Sequence, residues 1–211
     1  MEYVYECQIP FMTPDFCKHV IDKFEEDTNK TAGVVGLHKV DTTLKKTIDL
    51  GINPVSDPSW ANVEKHLDSI LNYGYNSYKD HLVNNVLDSN EKVLDSVFKS
   101  PHERLAFNIQ KYGVGDYFNW HVDDTFIQKR KVAFIMYLNT LSEGDGGETK
   151  FWKGKSVRPE EGKILFFPAT WTYTHSGETI KKGSKYIITG FIVELIPFEV
   201  KEKLKEIFSD M

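Results

Sequence analysis

The part of the chain that follows Pro101 consists of short segments rich in β-branched and aromatic residues, separated by turn residues. Segments of this kind predict β-strands. Gly-Asp-Gly-Gly at 144–147 and Lys-Lys-Gly-Ser at 181–184 predict hairpin connections. Seven or eight short strands within about 95 residues are typical of a β-sandwich or barrel. The predicted strands cover residues 105–112, 117–122, 132–138, 148–152, 163–167, 172–176 and 185–195.

Helical patterns dominate the first hundred residues. Thr13 as N-cap and Pro14 at the first helical position predict a helix that runs to about Asp27. The longest helical pattern runs from residue 60 to about 87, although Gly74 weakens the prediction of one unbroken helix. A second short helix is predicted over 91–99. The fold class is therefore mainly β with N-terminal helices that brace the β core.

We predict a single domain over residues 1–211. Residues 1–100, which include a short strand at 3–9, form a helical and strand support region, and residues 101–196 form the β core. The spacing of apolar residues predicts a C-terminal helix over 197–211. The segment 37–50 lacks regular alternation. Two interpretations of it remain open, a mobile flap over a site and a fixed extension at a sheet edge.

Composition excludes several classes of function. The formal net charge of −5 provides no general basic surface, which disfavours nucleic acid as a partner. No apolar run approaches the roughly 20 residues of a membrane helix, so no membrane partner is expected. The acidic N-terminus lacks the apolar stretch of a signal peptide. Two cysteines, Cys7 and Cys17, fit a reduced compartment, and a cytoplasmic location is predicted.

Three residues on predicted strands have the chemistry of metal ligands. His121 and Asp123 are two apart, so in an extended strand both side chains project from one face. His175 lies on another predicted strand. Two imidazoles and one carboxylate form the facial triad of non-haem ferrous oxygenases. Asp124 would face the other way, and a role in the turn is predicted for it.

Lys185 opens the last predicted strand and shares a face with Ile187, Thr189 and Phe191. A lysine buried in such apolar company needs an anion, because an unpaired buried charge costs several kcal/mol. The alternative is a surface position, with the ammonium reaching solvent.

The arrangement of His-x-Asp at 121–123, His175 and Lys185 resembles the 2-oxoglutarate/Fe(II)-dependent dioxygenase superfamily, on its prolyl 4-hydroxylase-like branch. The resemblance covers about residues 105–196 well and residues 1–100 loosely. Further runs that resemble the family are Lys-Tyr-Gly-Val-Gly-Asp-Tyr at 111–117, Met-Tyr-Leu-Asn at 136–139, Gly-Gly-Glu-Thr-Lys-Phe at 146–151 and Gly-Lys-Ile-Leu-Phe-Phe-Pro at 162–168.

The resemblance implies a double-stranded β-helix (jelly-roll) core. It also implies a hydroxylase that uses Fe(II) and 2-oxoglutarate and releases succinate and carbon dioxide. Ascorbate is the reductant that the same resemblance suggests. Iron (+2), one aspartate (−1) and the 2-oxoglutarate dianion (−2) sum to −1, a charge that a lysine cation neutralises.

Roles for individual residues follow from the resemblance. It implies that His121, Asp123 and His175 ligate iron, and that Lys185 binds the distal carboxylate of 2-oxoglutarate. The remaining implied positions are Tyr137 and Thr149 beside that carboxylate, and Tyr112 and Tyr117 in the wall of the pocket. Packing in the core is the alternative for Tyr137, and packing is equally open for Tyr112 and Tyr117.

The prolyl 4-hydroxylase-like branch makes a prolyl residue in a peptide or protein the first substrate hypothesis. A polyproline II chain needs an open groove with aromatic side chains, to which Tyr117, Trp120 and Trp60 are candidates. The alternatives are the same chemistry on a small metabolite such as a free amino acid, or on a nucleobase. A non-catalytic jelly roll used for binding is a third hypothesis. The sequence does not tell which oligomeric state the protein has.

Overall fold

The structure is a computed structural model and describes residues 2–36, 39–87, 90–99, 102–125 and 129–195. Three helices precede the main strands: α1, Pro14–Glu26; α2, Ala61–Asn85; and α3, Glu91–Phe98. Each lies where the sequence predicts one. Thr13 caps α1 as predicted, because its hydroxyl accepts the Phe16 N–H at 3.3 Å. The predicted helix over 197–211 lies outside the described residues.

Helix α2 continues through Gly74 without a break. A Cβ atom at this position would lie 3.0 Å from the Phe166 ring and 3.1 Å from the side chain of Ile164. The glycine therefore allows the helix backbone to approach the underlying sheet closely, and this packing compensates for its low helix propensity.

We expect Gly74→Leu to destabilise the protein by about 1–3 kcal/mol, the usual cost of forcing extra methylenes into a packed core. Asn76→Leu is the matched control, because Asn76 lies on the exposed face of the same helix. Urea unfolding of both variants measures the difference. Equal stability of the two variants would mean that the helix has room to move away from the sheet.

Thirteen strands in the described residues form two antiparallel sheets. The strands are β1 Tyr5–Gln8, β2 Thr31–Ala32, β3 Lys45–Lys46, β4 Ile48–Gly51, β5 His102–Arg104, β6 Asn108–Tyr112, β7 Tyr117–His121, β8 Arg130–Tyr137, β9 Thr149–Phe151, β10 Ser156–Val157, β11 Lys163–Pro168, β12 His175–Gly177 and β13 Lys185–Glu194. The eight-stranded sheet has the order β1-β11-β8-β13-β6-β4-β2, with β5 paired to β13, and the five-stranded sheet has the order β10-β9-β12-β7-β3.

Two apolar clusters hold the layers together. Strand β8 contributes to both, because its alternate residues point to opposite faces. Phe134 and Met136 belong to the cluster that includes α1 and α2 residues, whereas Ile135 and Tyr137 belong to the cluster that includes Phe151 of the other sheet. The eight-stranded sheet is thus buried on both faces, by helices on one side and by the five-stranded sheet on the other. The predicted fold class, mainly β with bracing helices, is confirmed.

The segment 37–50 supplies strands to both sheets. Strand β3 pairs with β7, and β4 pairs with β6. Of the two interpretations left open by the sequence, the structure has the extension at the sheet edge over residues 45–51. With β1 and β2, four strands from the first hundred residues join the sheets of the core. The predicted division of the chain into regions stays a prediction.

Several sequence predictions in this part were wrong in detail. The predicted hairpin connections at 144–147 and 181–184 instead join strands of different sheets, β8 to β9 and β12 to β13. The strand predicted over 105–112 begins only at Asn108, and a separate strand, β5, precedes it at His102–Arg104. The strand predicted over 172–176 begins only at His175, because Trp171–Tyr173 forms a 3-10 turn. Trp60 is buried, and its indole N–H donates to Asp27 at 2.9 Å, so it packs in the core and not in a groove. None of the helices in the described part of the chain is long and apolar enough to cross a bilayer.

Candidate metal centre and pocket

Strand pairing brings the three predicted metal ligands together. His121 at the end of β7 lies opposite His175 at the start of β12. The Asp123 carboxylate lies 3.7 Å from His121 Nε2 and 3.5 Å from His175 Nε2. One donor atom from each of the three residues lies within 4.8 Å of the other two. The three side chains are 12 %, 12 % and 6 % exposed, so the donors face an enclosed space.

The geometry that joins them differs from the predicted one. Strand β7 ends at His121, so Asp123 lies beyond the strand and the rule of alternate residues does not place it. The pairing between β7 and β12 also shifts its register between His175 and Gly177. This irregularity puts Phe118 and His121, three residues apart, on the same face, where their rings stack at 3.5 Å.

Hydrogen bonds fix the orientation of both imidazoles. His121 Nδ1 lies 2.8 Å from the Asn119 carbonyl, and His175 Nδ1 lies 3.0 Å from the Tyr173 carbonyl. Because a carbonyl oxygen only accepts, each Nδ1 carries the hydrogen and each Nε2 presents a lone pair. This outer contact is the usual one for metal-binding histidine.

Electrostatics also suit a cation at this place. Burial, with a smaller effect of the nearby His175, lowers the pKa of His121 well below its usual value, so the ring is neutral at pH 7. Burial raises the pKa of the Asp123 carboxyl, because a buried carboxylate is costly without a neighbouring positive charge. Two imidazoles and one carboxylate fit Fe(II) in the facial-triad arrangement.

A pocket extends from these donors to Lys185, which lies at the start of β13. The lysine is 1 % exposed, so the alternative of a surface position is wrong. Its ammonium donates to the Gly147 carbonyl at 3.0 Å and lies 4.1 Å from the centre of the Tyr112 ring. Burial lowers the pKa of Lys185 to about 7. The predicted strand face is also present, since Ile187, Thr189 and Phe191 line the same pocket.

Of the other predicted site residues, some lie at the pocket and some lie outside it. Thr149 and Tyr112 line the pocket, and Tyr137 is fully buried with its hydroxyl 2.8 Å from that of Thr149. Tyr117 and Trp120 do not line the pocket. The Tyr117 hydroxyl donates to the carbonyl of Thr42 at 2.9 Å, and Trp120 is 45 % exposed against the ring of Trp152. The roles of all five in binding stay predictions.

Sequence reasoning missed several residues of the pocket region, and three of them carry side chains of interest here. Gln110 and Phe118 line the pocket, and the Arg130 guanidinium lies 3.9 Å from the Phe191 ring while donating to the Asp123 carbonyl at 3.0 Å. Gln110 was accessible to prediction, because it alternates with Tyr112 on one predicted strand. Phe118 was not, since its place depends on the irregular pairing of β7. Arg130 follows residues 126–128, which lie outside the described part.

Asp124 has a role in the turn, as the sequence predicts. Its carboxylate accepts the backbone N–H of Thr125 at 3.0 Å and that of Arg130 at 3.2 Å, so it organises the local turn.

The fold and the site together define a class: a jelly roll that carries two histidines and one aspartate of the non-haem iron type beside a buried lysine. Residues 107–193 match the model of the 2OG-Fe(II) oxygenase superfamily. The resemblance predicted from the sequence is thereby confirmed. The match agrees with the predicted cofactor pair, Fe(II) and 2-oxoglutarate, for which the three grouped residues provide a fitting set of donors.

Curated relatives carry the name PKHD-type hydroxylase. One from a Synechococcus species is 31 % identical over 93 residues, which cover 42 % of this chain and 41 % of the relative. One from Idiomarina loihiensis is 26 % identical over 122 residues, which cover 52 % of this chain and 55 % of the relative. The chain thus spans about half the length of the curated relatives it matches.

Solved structures share the fold over nearly the whole chain. A prolyl hydroxylase from Trichoplax adhaerens, in complex with a hypoxia inducible factor peptide fragment, has a TM-score of 0.72 at 13 % identity, covering 92 % of this chain and 84 % of that one. A prolyl-4-hydroxylase of Pseudomonas putida has a TM-score of 0.65 at 14 % identity, covering 91 % and 92 %. At these identities the likeness establishes the jelly-roll fold.

Proposed function

We propose that this chain is a 2-oxoglutarate- and Fe(II)-dependent hydroxylase that acts on a prolyl residue in a peptide or protein and releases succinate and carbon dioxide. The observation that carries the proposal is the pocket itself. Its lining combines three metal donors, His121, Asp123 and His175, with the buried ammonium of Lys185. A metal ion and an elongated dianion together fit this distribution of charge.

The side chains of the pocket have separate tasks in this proposal. His121, Asp123 and His175 hold the iron, which when bound supplies the reaction with dioxygen. Lys185 binds the distal carboxylate of 2-oxoglutarate, and the hydroxyl of Thr149 lies in the same lining. Phe118, Phe167, Ile187 and Phe191 form an apolar wall that excludes water from the reacting groups.

The prolyl substrate takes its support from the relatives. The curated relatives are hydroxylases of the PKHD type, and the solved structures with this fold include prolyl hydroxylases, one of them bound to a peptide. The formal net charge of −5 offers no support for a nucleic acid substrate.

The test is incubation of the protein with Fe(II), 2-oxoglutarate and ascorbate in the presence of four substrates. These are a proline-rich peptide, the same peptide with alanine for proline, free proline and a single-stranded oligonucleotide. We expect succinate formation, and a mass gain of one oxygen atom only in the proline-rich peptide. A gain in free proline or the oligonucleotide would reject the peptide substrate and keep the class of reaction. No succinate with any substrate would contradict the hydroxylase itself.

Binding of 2-oxoglutarate should be accompanied by proton uptake above neutral pH. Without the co-substrate the pKa of Lys185 is about 7, so at about pH 8 the amine is mostly neutral. A bound dianion raises this pKa, and the complex then holds a proton that the free protein lacks. Below about pH 6 both forms are protonated and the uptake vanishes.

Calorimetry of 2-oxoglutarate binding to the Mn(II)-loaded protein, in buffers of different ionisation enthalpy, measures this uptake. Lys185→Met should remove it. Proton release, or uptake that persists in the methionine variant, would assign the proton to another group.

A further inference from the structure

The chain passes from one sheet to the other within residues 45–51, next to the metal centre. Strand β3 pairs with β7 of the five-stranded sheet, and β4 pairs with β6 of the eight-stranded sheet. We call residues 42–51 the strap. Strand β7 ends at the metal-ligating position His121, so the strap forms the edge neighbour of the strand that carries this ligand.

A buried ion pair stands at the centre of the strap. Lys45 Nζ lies 2.6 Å from the Asp49 carboxylate, and the two side chains are only 3 % and 7 % exposed. The same carboxylate accepts a hydrogen bond from Thr47 at 2.6 Å and another from Asn108 at 3.1 Å. Burying such a pair gains little stability over an apolar pair, whereas removal of one partner leaves the other charge buried and uncompensated.

Two short routes lead from the strap to His121. In the first, Lys45 Nζ lies 5.3 Å from the centre of the Phe118 ring, which stacks on the His121 ring at 3.5 Å and an interplanar angle of 7°. In the second, the backbone N–H of Asn119 donates to the Leu44 carbonyl at 2.8 Å, while the Asn119 carbonyl accepts from His121 Nδ1.

We propose that Lys45, held by Asp49, is a positioning residue for the metal ligand His121. The pair fixes the strap against β7, and the strap fixes the Phe118 ring and the Asn119 carbonyl, the two groups that set the plane of the His121 imidazole and the tautomer it adopts. Outer contacts of this kind orient metal ligands and strengthen metal binding.

The test compares Lys45→Met with Lys46→Met. Lys46 is the matched control, because it lies on the same short strand but is 53 % exposed and pairs with Asp116 outside the cluster. Titration with Co(II) should show that Lys45→Met weakens metal binding by about 10- to 100-fold, the usual cost of losing an outer partner of a metal ligand. Lys46→Met should bind Co(II) as the unchanged protein does, and Lys45→Arg should recover part of the loss.

Nuclear magnetic resonance of the metal-free protein gives an independent readout. The stacked Phe118 ring shields the His121 ring hydrogens, so Lys45→Met should move the His121 resonances and Lys46→Met should not. Unchanged His121 resonances together with unchanged Co(II) affinity in Lys45→Met would overturn the proposal.

A double variant that also removes the unpaired buried carboxylate distinguishes an effect on the position of His121 from an effect on protein stability. Lys45→Met leaves Asp49 without its cation, whereas Lys45→Met with Asp49→Leu replaces both charges by apolar groups. We expect the double variant to regain thermal stability and to remain weak in Co(II) binding. Recovery of both properties together would mean that the ion pair acts only on folding. All three readouts are independent of hydroxylation, so a failure of the proposed function and a failure of this inference are distinguishable.

Discussion

Asp123→Ala is expected to abolish turnover and to weaken metal binding. The loss of metal affinity should exceed the factor of about 10 to 100 that loss of an outer contact costs. The carboxylate is the only anionic donor among the three grouped residues, and its oxygens lie within 3.7 Å of both histidine Nε2 atoms. Alanine would leave two neutral imidazoles, which hold a hard divalent cation poorly. Succinate formation and Co(II) titration measure the two effects, and His121→Ala should behave in the same way.

The neighbouring carboxylate provides a matched control for this prediction. Asp124 has the same charge, is exposed, and accepts backbone N–H groups in the turn. Asp124→Ala should lower the thermal stability modestly, by about 1 kcal/mol for the lost backbone contacts, and leave Co(II) affinity nearly unchanged. Full activity in Asp123→Ala, or equal metal loss in both variants, would sink the assignment of the triad.

The triad and Lys185 could be predicted because their chemistry is rare outside a site. Two histidines and a carboxylate on predicted strands together suit a metal cation. A lysine on an apolar strand face needs an anion, because an unpaired buried charge is costly. Strand pairing then brings His121 and His175 opposite each other, and burial of Lys185 at 1 % exposure agrees with the demand for an anion. These inferences survive errors of a few residues in the strand boundaries.

The surroundings of the site could not be predicted, because they depend on how strands meet and not on what they contain. Phe118 reaches His121 only through the shifted register of β7, and Asp123 reaches the site from beyond the strand end. For the strap, two interpretations remained open, a mobile flap and a strand at the sheet edge, since its sequence lacks regular alternation. Lys45 and Asp49 are four residues apart with Thr47 between them, and this pattern does not predict that the chain crosses from one sheet to the other.

Exposed aromatic residues show the same limit. Tyr117 and Trp120 were candidates for the substrate groove because a polyproline II chain needs aromatic side chains. In the structure the Tyr117 hydroxyl donates to the strap, and Trp120 contacts Trp152 at 5.7 Å between ring centres. Alternation assigns a side chain to a face only where the strand is regular, and β7 is not regular at this point.

Lys185→Ala should weaken 2-oxoglutarate binding by a factor of about 30 to several thousand, while metal affinity changes little. Removal of one partner of a buried charge pair costs about 2–5 kcal/mol, and each 1.4 kcal/mol is a factor of about ten. Lys185 lines the same pocket as the three donors and is 1 % exposed, so solvent cannot replace it. Calorimetry with 2-oxoglutarate on the Mn(II)-loaded protein, beside a separate Co(II) titration, measures the two affinities.

Two further variants define what the lysine does. Lys182→Ala removes an exposed lysine three residues earlier in the chain and should leave both affinities unchanged. Lys185→Met keeps most of the side-chain volume and removes the charge, so it should lose 2-oxoglutarate as Lys185→Ala does. If the methionine variant instead binds 2-oxoglutarate normally, the lysine fills space and does not pair with the anion. Neither substitution should prevent folding, because burial already costs the ammonium enough to lower its pKa to about 7, and both remove that cost.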